Sequence, residues 1–154
     1  MAEIIGVIAA IGALTEFGFK LSLKLFTYSQ AILTADQTAR DISNEVSLTS
    51  TVLQQLSSTL KHDRQIASDI ALNVIHEILK DCDTVFQELD GVLEPVLSKL
   101  NGQGPSNVGK RVERFVWPLK QSKVDALKER LDRLKLSLTL MLQVLSHARD
   151  IANQ

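Results

Sequence analysis

"KVDALKERLDRLKLSLTLMLQVLSHARDIA", Lys123–Ala152, is the stretch whose reading decides the fold class. Val124, Leu127, Leu131, Leu134, Leu138, Met141, Leu145, Ala148 and Ala152 recur in steps of three and four. That spacing gathers them on one stripe of an α-helix, whereas a strand would scatter them over both faces. A helix over 123–152 is predicted, and Ser122 with Asp125 resembles a capping box at its start. Working outward, the same period returns three times. Ile42, Val46, Thr49, Leu53, Leu56 and Leu60 follow Asp36, a good N-cap residue. Ile70, Val74, Ile78, Cys82, Val85, Leu89 and Leu93 form a third stripe, which Pro95 should kink or end because proline removes a helix hydrogen bond. Leu14, Phe17, Leu21, Leu25, Tyr28 and Ile32 form a fourth, with Lys20 and Lys24 outside it.

No run alternates with period two, so strands are not expected. The pattern predicts an all-α fold: one domain over 1–154, an up-and-down bundle of four main helices in which sequential helices are antiparallel neighbours. A hydrophobic helical segment over 1–34 opens it. Glycine and proline cluster in "NGQGPSNVG", Asn101–Gly109, so 101–110 reads as the clear loop. "RVERFVWPLK", Arg111–Lys120, adds a short extra helix or turn whose Phe115 and Trp117 plug one end.

With 154 residues, 45% apolar and 23% charged, the chain has the makings of a proper core and of neither a disordered nor a polytopic membrane protein. Its single cysteine, Cys82, excludes an internal disulfide and fits a reducing compartment, the cytosol first. The net charge of −1 hides a segregation. Residues 36–109 carry eleven acids and five bases, while 110–154 carry ten bases and five acids. A basic C-terminal third either meets anionic lipid or pairs with the acidic middle inside the fold, and pairing between helices of one bundle is the expectation.

The opening "AEIIGVIAAIGALTEF", Ala2–Phe17, is uncharged from Ile4 to Leu14. Those residues make about 16 Å of helix, half of a bilayer's hydrocarbon. Extension to Phe26 brings in Glu16, Lys20 and Lys24, and each charge near a bilayer centre costs at least ~2.5 kcal/mol. One isolated helix is therefore not expected to span constitutively. Several could insert together, because Gly6 with Ala10 and Ala9 with Ala13 are small-xxx-small pairs that permit close helix packing, with Glu16 facing a shared aqueous interior. Glu3 stands where a secretory signal would carry a base. At rest the segment is expected to be the buried central helix of the bundle, from which a Gly- and Ala-rich helix withdraws readily.

"MAEIIGVIAAIGALTEFGFKLSLKL", with "WPLK" at Trp117–Lys120 leading into "LKERLDRLKLSLTLMLQVL", resembles the fungal HeLo-like domain. That family stands at the N-terminus of fungal STAND-type NOD-like receptors and of the cell-death effectors they trigger. It is similar to the HeLo domains of heterokaryon-incompatibility proteins and, distantly, to the four-helix domain of the mixed lineage kinase-like protein. The resemblance implies a cytoplasmic bundle that self-associates, exposes its N-terminal segment and permeabilises the plasma membrane. On that reading Ile4, Ile5, Val7, Ile8, Ile11, Leu14 and Phe17 insert, Gly6, Ala9, Ala10 and Ala13 pack helix on helix, and Glu16 faces the lumen or acts as a switch. Lys20 and Lys24 meet anionic headgroups. An upstream receptor would act through regions outside this chain, since no amyloid-forming trigger motif is recognisable in it. The alternative reading is a non-lytic oligomerisation or docking module of a larger signalling receptor.

Enzymatic chemistry is not expected. "GPSNVGKR", Gly104–Arg111, matches the first part of a phosphate-binding loop but has Arg111 where a magnesium-binding hydroxyl is needed. "HEILK", His76–Lys80, has Lys where a zinc helix needs its second His, and with His62 and His147 no metal set is spelled out. Cys82 sits on an apolar stripe as a structural thiol, and Asp69, Glu77, Asp81 and Glu88 read as a solvated acidic face. Nine bases between Lys110 and Lys135 are interleaved with four acids and have few aromatics beside them, which argues against nucleic acid as a partner. No cofactor is called for.

Overall fold

The described residues of all four apolar stripes lie on helices; Ile32, the last of the first helix's stripe, lies outside the described residues. The computed structural model describes residues 2–31, 37–63, 65–101 and 121–154. They form α1 (Ala2–Ala31), α2 (Thr38–His62), α3 (Asp69–Asn101) and α4 (Gln121–Ala152), with no strand among the described residues. The proposed cap Asp36, the loop from Gly102 onward, the phosphate-loop match and the short helix over Arg111–Lys120 lie outside the described residues. At the start of α2 the cap position is Gln37, whose side chain makes no capping bond. The start of α3 is capped by Ser68, whose hydroxyl accepts a hydrogen bond from the Ala71 amide at 3.1 Å. Helix α3 continues through Pro95 to Asn101, so the proline does not end it. Helix α4 is described from Gln121, which puts Ser122 inside the helix instead of at its cap.

Helix order around the core follows from the contacts. Both α1 and α4 pack against α2 and α3, leaving α1/α4 and α2/α3 as the two diagonals. Ser22 meets Ser43, and Gly18 faces Ser50, so α1 and α2 are antiparallel. Phe17 meets Phe86 while Lys24 reaches Asp90 and Glu94, so α1 and α3 run the same way. Lys128 pairs with Asp41 and Lys135 with Glu45, which makes α4 parallel to α2. The chain therefore runs up, down, up, down, but the sequential helices α2 and α3 are diagonal where neighbours were expected. A short connection fixes only which ends meet; the matching of side-chain faces decides which flank the next helix takes.

The core stripes of α2 and α4 are those read from the sequence, except that Ala148 is half-buried and Ala152 exposed. In α3 the first half differs. Ile70 is 77% exposed and Val74 43% exposed, and the core is filled instead by Leu72, Ile75 and Leu79, joined farther on by Phe86. Ile70–Val74–Ile78 and Leu72–Ile75–Leu79 are both apolar at helical spacing, so periodicity could not choose between them; packing did. Helix α1 departs most from expectation. It is not buried all round: Ile4, Val7, Ile11, Leu14, Leu21, Leu25 and Tyr28 face the core, Phe17 is half-buried, and much of the rest faces water.

One glycine explains how α1 fits. A β-carbon built on Gly18 would lie 1.9 Å from Ser50 Oγ and 2.9 Å from a ring carbon of Phe86, so the α1 backbone approaches both α2 and α3 at this point. Opposite it, α2 presents Ser43, Ser50 and Ser57 at seven-residue spacing, all buried. Their small size permits the close approach. Ser22 and Ser43 each donate to the other's backbone carbonyl, at 3.0 and 2.9 Å, and Ser50 donates to Val46 O, so these buried hydroxyls are satisfied.

Candidate functional site: the faces of α1

Helix α1 carries three longitudinal surfaces. The first is the core face just described. The second points away from the bundle and is apolar: Ile5 is 52% exposed and Leu23 65% exposed, with Phe19 and Phe26 also exposed and Ile8 half-buried on the same side. Exposed Gly12 lies between them and has open space at its β-position. The third surface runs along the α3 side. Gly6, Ala9, Ala13, Glu16, Lys20 and Lys24 follow one another at steps of three and four, so small residues and all three mid-helix charges share one edge. Ala10, just inside that edge, is exposed as well.

Polar atoms on this edge are paired within the chain. Lys20 Nζ lies 3.3 Å from Glu16, a pair one turn apart and exposed on both sides. Lys24 Nζ donates to Asp90 at 2.8 Å and to Glu94 at 3.0 Å, clasping the second half of α1 to α3. Between α1 and α3 lie two adjoining open grooves that share Ala13 and Phe17. One, of about 330 Å³, lies by Lys20, Lys24 and Asp90, and the other, of about 420 Å³, by Ala10, His76 and Leu79.

The sequence-predicted site residues are thus divided among surfaces. Of the expected inserting side chains, Ile4, Val7, Ile11 and Leu14 are buried, Ile8 and Phe17 half-buried, and Ile5 exposed. The small residues Gly6, Ala9, Ala10 and Ala13 are exposed, as are Glu16 and Lys20. Lys24 is held by two carboxylates. Sequence reasoning missed the outward apolar set Phe19, Leu23 and Phe26, for which the three- and four-residue steps were an available signal, and it missed Gly18, for which there was none.

By length and composition α1 is apolar enough to cross a membrane: within Glu3–Gln30 an 18-residue window reaches a mean hydropathy of 1.8, and 39% of that window is buried inside the bundle. As a helix this span is about 42 Å long, more than the ~30 Å of a hydrocarbon core.

The basic α4 is engaged internally. Lys128 pairs with Asp41 at 3.5 Å, Arg130 with Glu88 at 3.2 Å, and Lys135 with Glu45 and, at 3.3 Å, with Asp132. Burial pulls the Lys135 pKa down, but the hydrogen bonds that its ammonium donates to Glu45 and Asp132 outweigh it and leave the pKa raised. Cys82 is fully buried, and burial pushes its thiol up to about 12, the Asp83 charge adding to it. It is therefore a neutral core side chain. His62, His76 and His147 are each exposed, and no group of three His, Cys, Asp or Glu side chains among the described residues could hold a metal ion.

No family model matches the chain, and no curated protein or solved structure matches it either, so the residues and surfaces above carry the functional argument.

Proposed function

We propose that this chain is a membrane-permeabilising domain of the HeLo-like kind, in which α1 is the inserting helix and self-association the trigger. The observation that carries the reading is the division of α1 into an outward apolar surface and a separate edge on which small residues and charges coincide. In a cluster of inserted α1 helices the apolar surfaces would meet lipid. The edge of Gly6, Ala9 and Ala13 would let helices approach, Glu16 would face a shared aqueous interior, and Lys20 and Lys24 would meet anionic headgroups.

Energetics sets the condition for release. Withdrawing α1 into water would expose seven buried apolar side chains at about 1.5–3 kcal/mol each, on the order of 10–20 kcal/mol, which equals or exceeds the stability of a typical domain. Spontaneous withdrawal is thus excluded, and only transfer to another apolar medium offsets the cost. Lipid supplies one. Cell-death execution at the plasma membrane, from a cytoplasmic resting state, belongs to this proposal through the family resemblance.

The test is dye release from neutral and anionic vesicles, comparing the intact chain with Leu23→Glu and Ile5→Asp. Both positions are exposed, so the bundle should keep its helicity while leakage falls at least about tenfold. Undiminished leakage by these variants, or no leakage by the intact chain at any protein density, would overturn the reading. A non-lytic assembly module is the second reading. It is favoured by the exposed Leu136, Leu140, Val144 and Ile151 of α4, an apolar row that insertion of α1 does not use.

A further inference from the structure

Two apolar rows face outward on this molecule, on diagonally opposed helices. On α1 the ridge turned farthest from the core is Ile5, Ala9, Gly12, Glu16, Phe19 and Leu23, in alternating steps of four and three. On α4 the corresponding ridge is Ala126, Glu129, Arg133, Leu136, Leu140 and Val144, with the same steps over most of its length. Such spacing is the seam pattern of helices that pack along their length. Neither ridge is covered, and because α1 and α4 do not pack on each other they open to opposite sides of the bundle.

We infer that these ridges are the two halves of a head-to-tail contact between copies of this chain, α1 of one lying antiparallel against α4 of the next. Charge and size both select this occupant. Antiparallel alignment that sets Glu16 against Arg133 also sets Lys20 against Glu129, making two pairs of opposite sign. In the same register Ile5 meets Val144, the small Ala9 lies opposite the large Leu140, and the large Leu23 lies opposite the small Ala126. Each charge is well exposed and, among the described residues, paired within its own helix: Glu16 with Lys20, and Glu129 with Arg133 at 2.5 Å. They can exchange partners without leaving a buried charge alone. A contact between two different surfaces does not close at two copies, so it continues into a ring or filament. Such an assembly would supply the clustering that the reading above invokes, and to that extent the inference rests on it.

The test is sedimentation of the full chain in lipid-free buffer over a wide concentration range. Intact protein should form species larger than dimers. Ile5→Arg and Leu140→Arg, each at an exposed position, should each remain monomeric and fully helical, while an equimolar mixture should give one-to-one dimers and nothing larger. Reversal of one ridge with Glu16→Arg and Lys20→Glu should weaken assembly at least about tenfold, and adding Glu129→Arg with Arg133→Glu should restore it. Assembly by either blocked variant alone, a monomeric mixture, failed restoration or a wild type that stays monomeric would each overturn the contact. Vesicle leakage is scored separately. Assembly without leakage leaves the contact standing and removes the membrane reading; leakage by chains that associate through other surfaces removes the contact and leaves the membrane reading standing.

Discussion

Gly12 and Gly18 share a helix and a residue type but have opposite surroundings. Open space lies beyond Gly12, so Gly12→Ala should stabilise the fold by about 0.5–1 kcal/mol through lower backbone entropy in the unfolded chain. The β-carbon of Gly18→Ala would meet Ser50 and Phe86 well inside contact distance and should cost about 1–3 kcal/mol net of the same propensity gain. Chemical denaturation of the two variants beside the wild type checks the difference in sign. The sequence offers three glycines in this helix with nothing to distinguish them, because the distinction lies in residues 32 and 68 positions farther along the chain.

At the scale of elements, α1 is fastened along its length by different means. Toward its N-terminus it is held by aliphatic packing, at its centre by the Gly18 approach, and farther on by the reciprocal Ser22–Ser43 bonds and the Lys24 clasp. Lys24→Gln removes the cation between Asp90 and Glu94. With the lysine partly exposed, the loss should be only about 0.5–1 kcal/mol, and it should shrink as salt is raised. If clasping restrains release, the same variant should leak vesicles at lower protein density than wild type, and equal leakage at equal density would sink that role for Lys24. Helix positions were legible from hydrophobic period because each stripe must bury itself. The faces of α1 and the first half of α3 were not. There the apolar residues exceed what one core-facing stripe can hold, and Ile70 or Leu72 would satisfy the period equally well.

The whole molecule turns its charge segregation inward. Basic α4 is tied to acidic α2 and α3 through Lys128, Arg130 and Lys135, as the opposing balances of the two regions implied. Four groups held above their ordinary pKa values set how stability responds to alkali, the Lys24 ammonium and the Tyr28 hydroxyl among them. The other two are the Cys82 thiol and the Lys135 ammonium, and in each case the unfolded chain gives up its proton first. All four contributions are complete below the unfolded values, and they fade as pH rises through the folded ones. Stability should therefore hold steady through neutral pH and begin to fall near pH 8.5, where a free thiol ionises, the decline continuing toward about 12. Denaturation midpoints from pH 7 to 10 test this, and Cys82→Ala should remove the earlier part of the decline. A midpoint that rises with pH over that range would contradict the assignment.

By itself, the sequence determined that the described residues are helical, where the four helices among them lie, and that the first helix is apolar beyond the needs of one face. Those properties are local: period and composition act within a few turns. Only the tertiary structure decided that α2 and α3 stand diagonally, that Gly18 is the point of closest approach, and which side of α1 is left to the solvent. Each depends on which surfaces fit together across the core, and shape complementarity between segments distant in the chain leaves no trace in the period of either one.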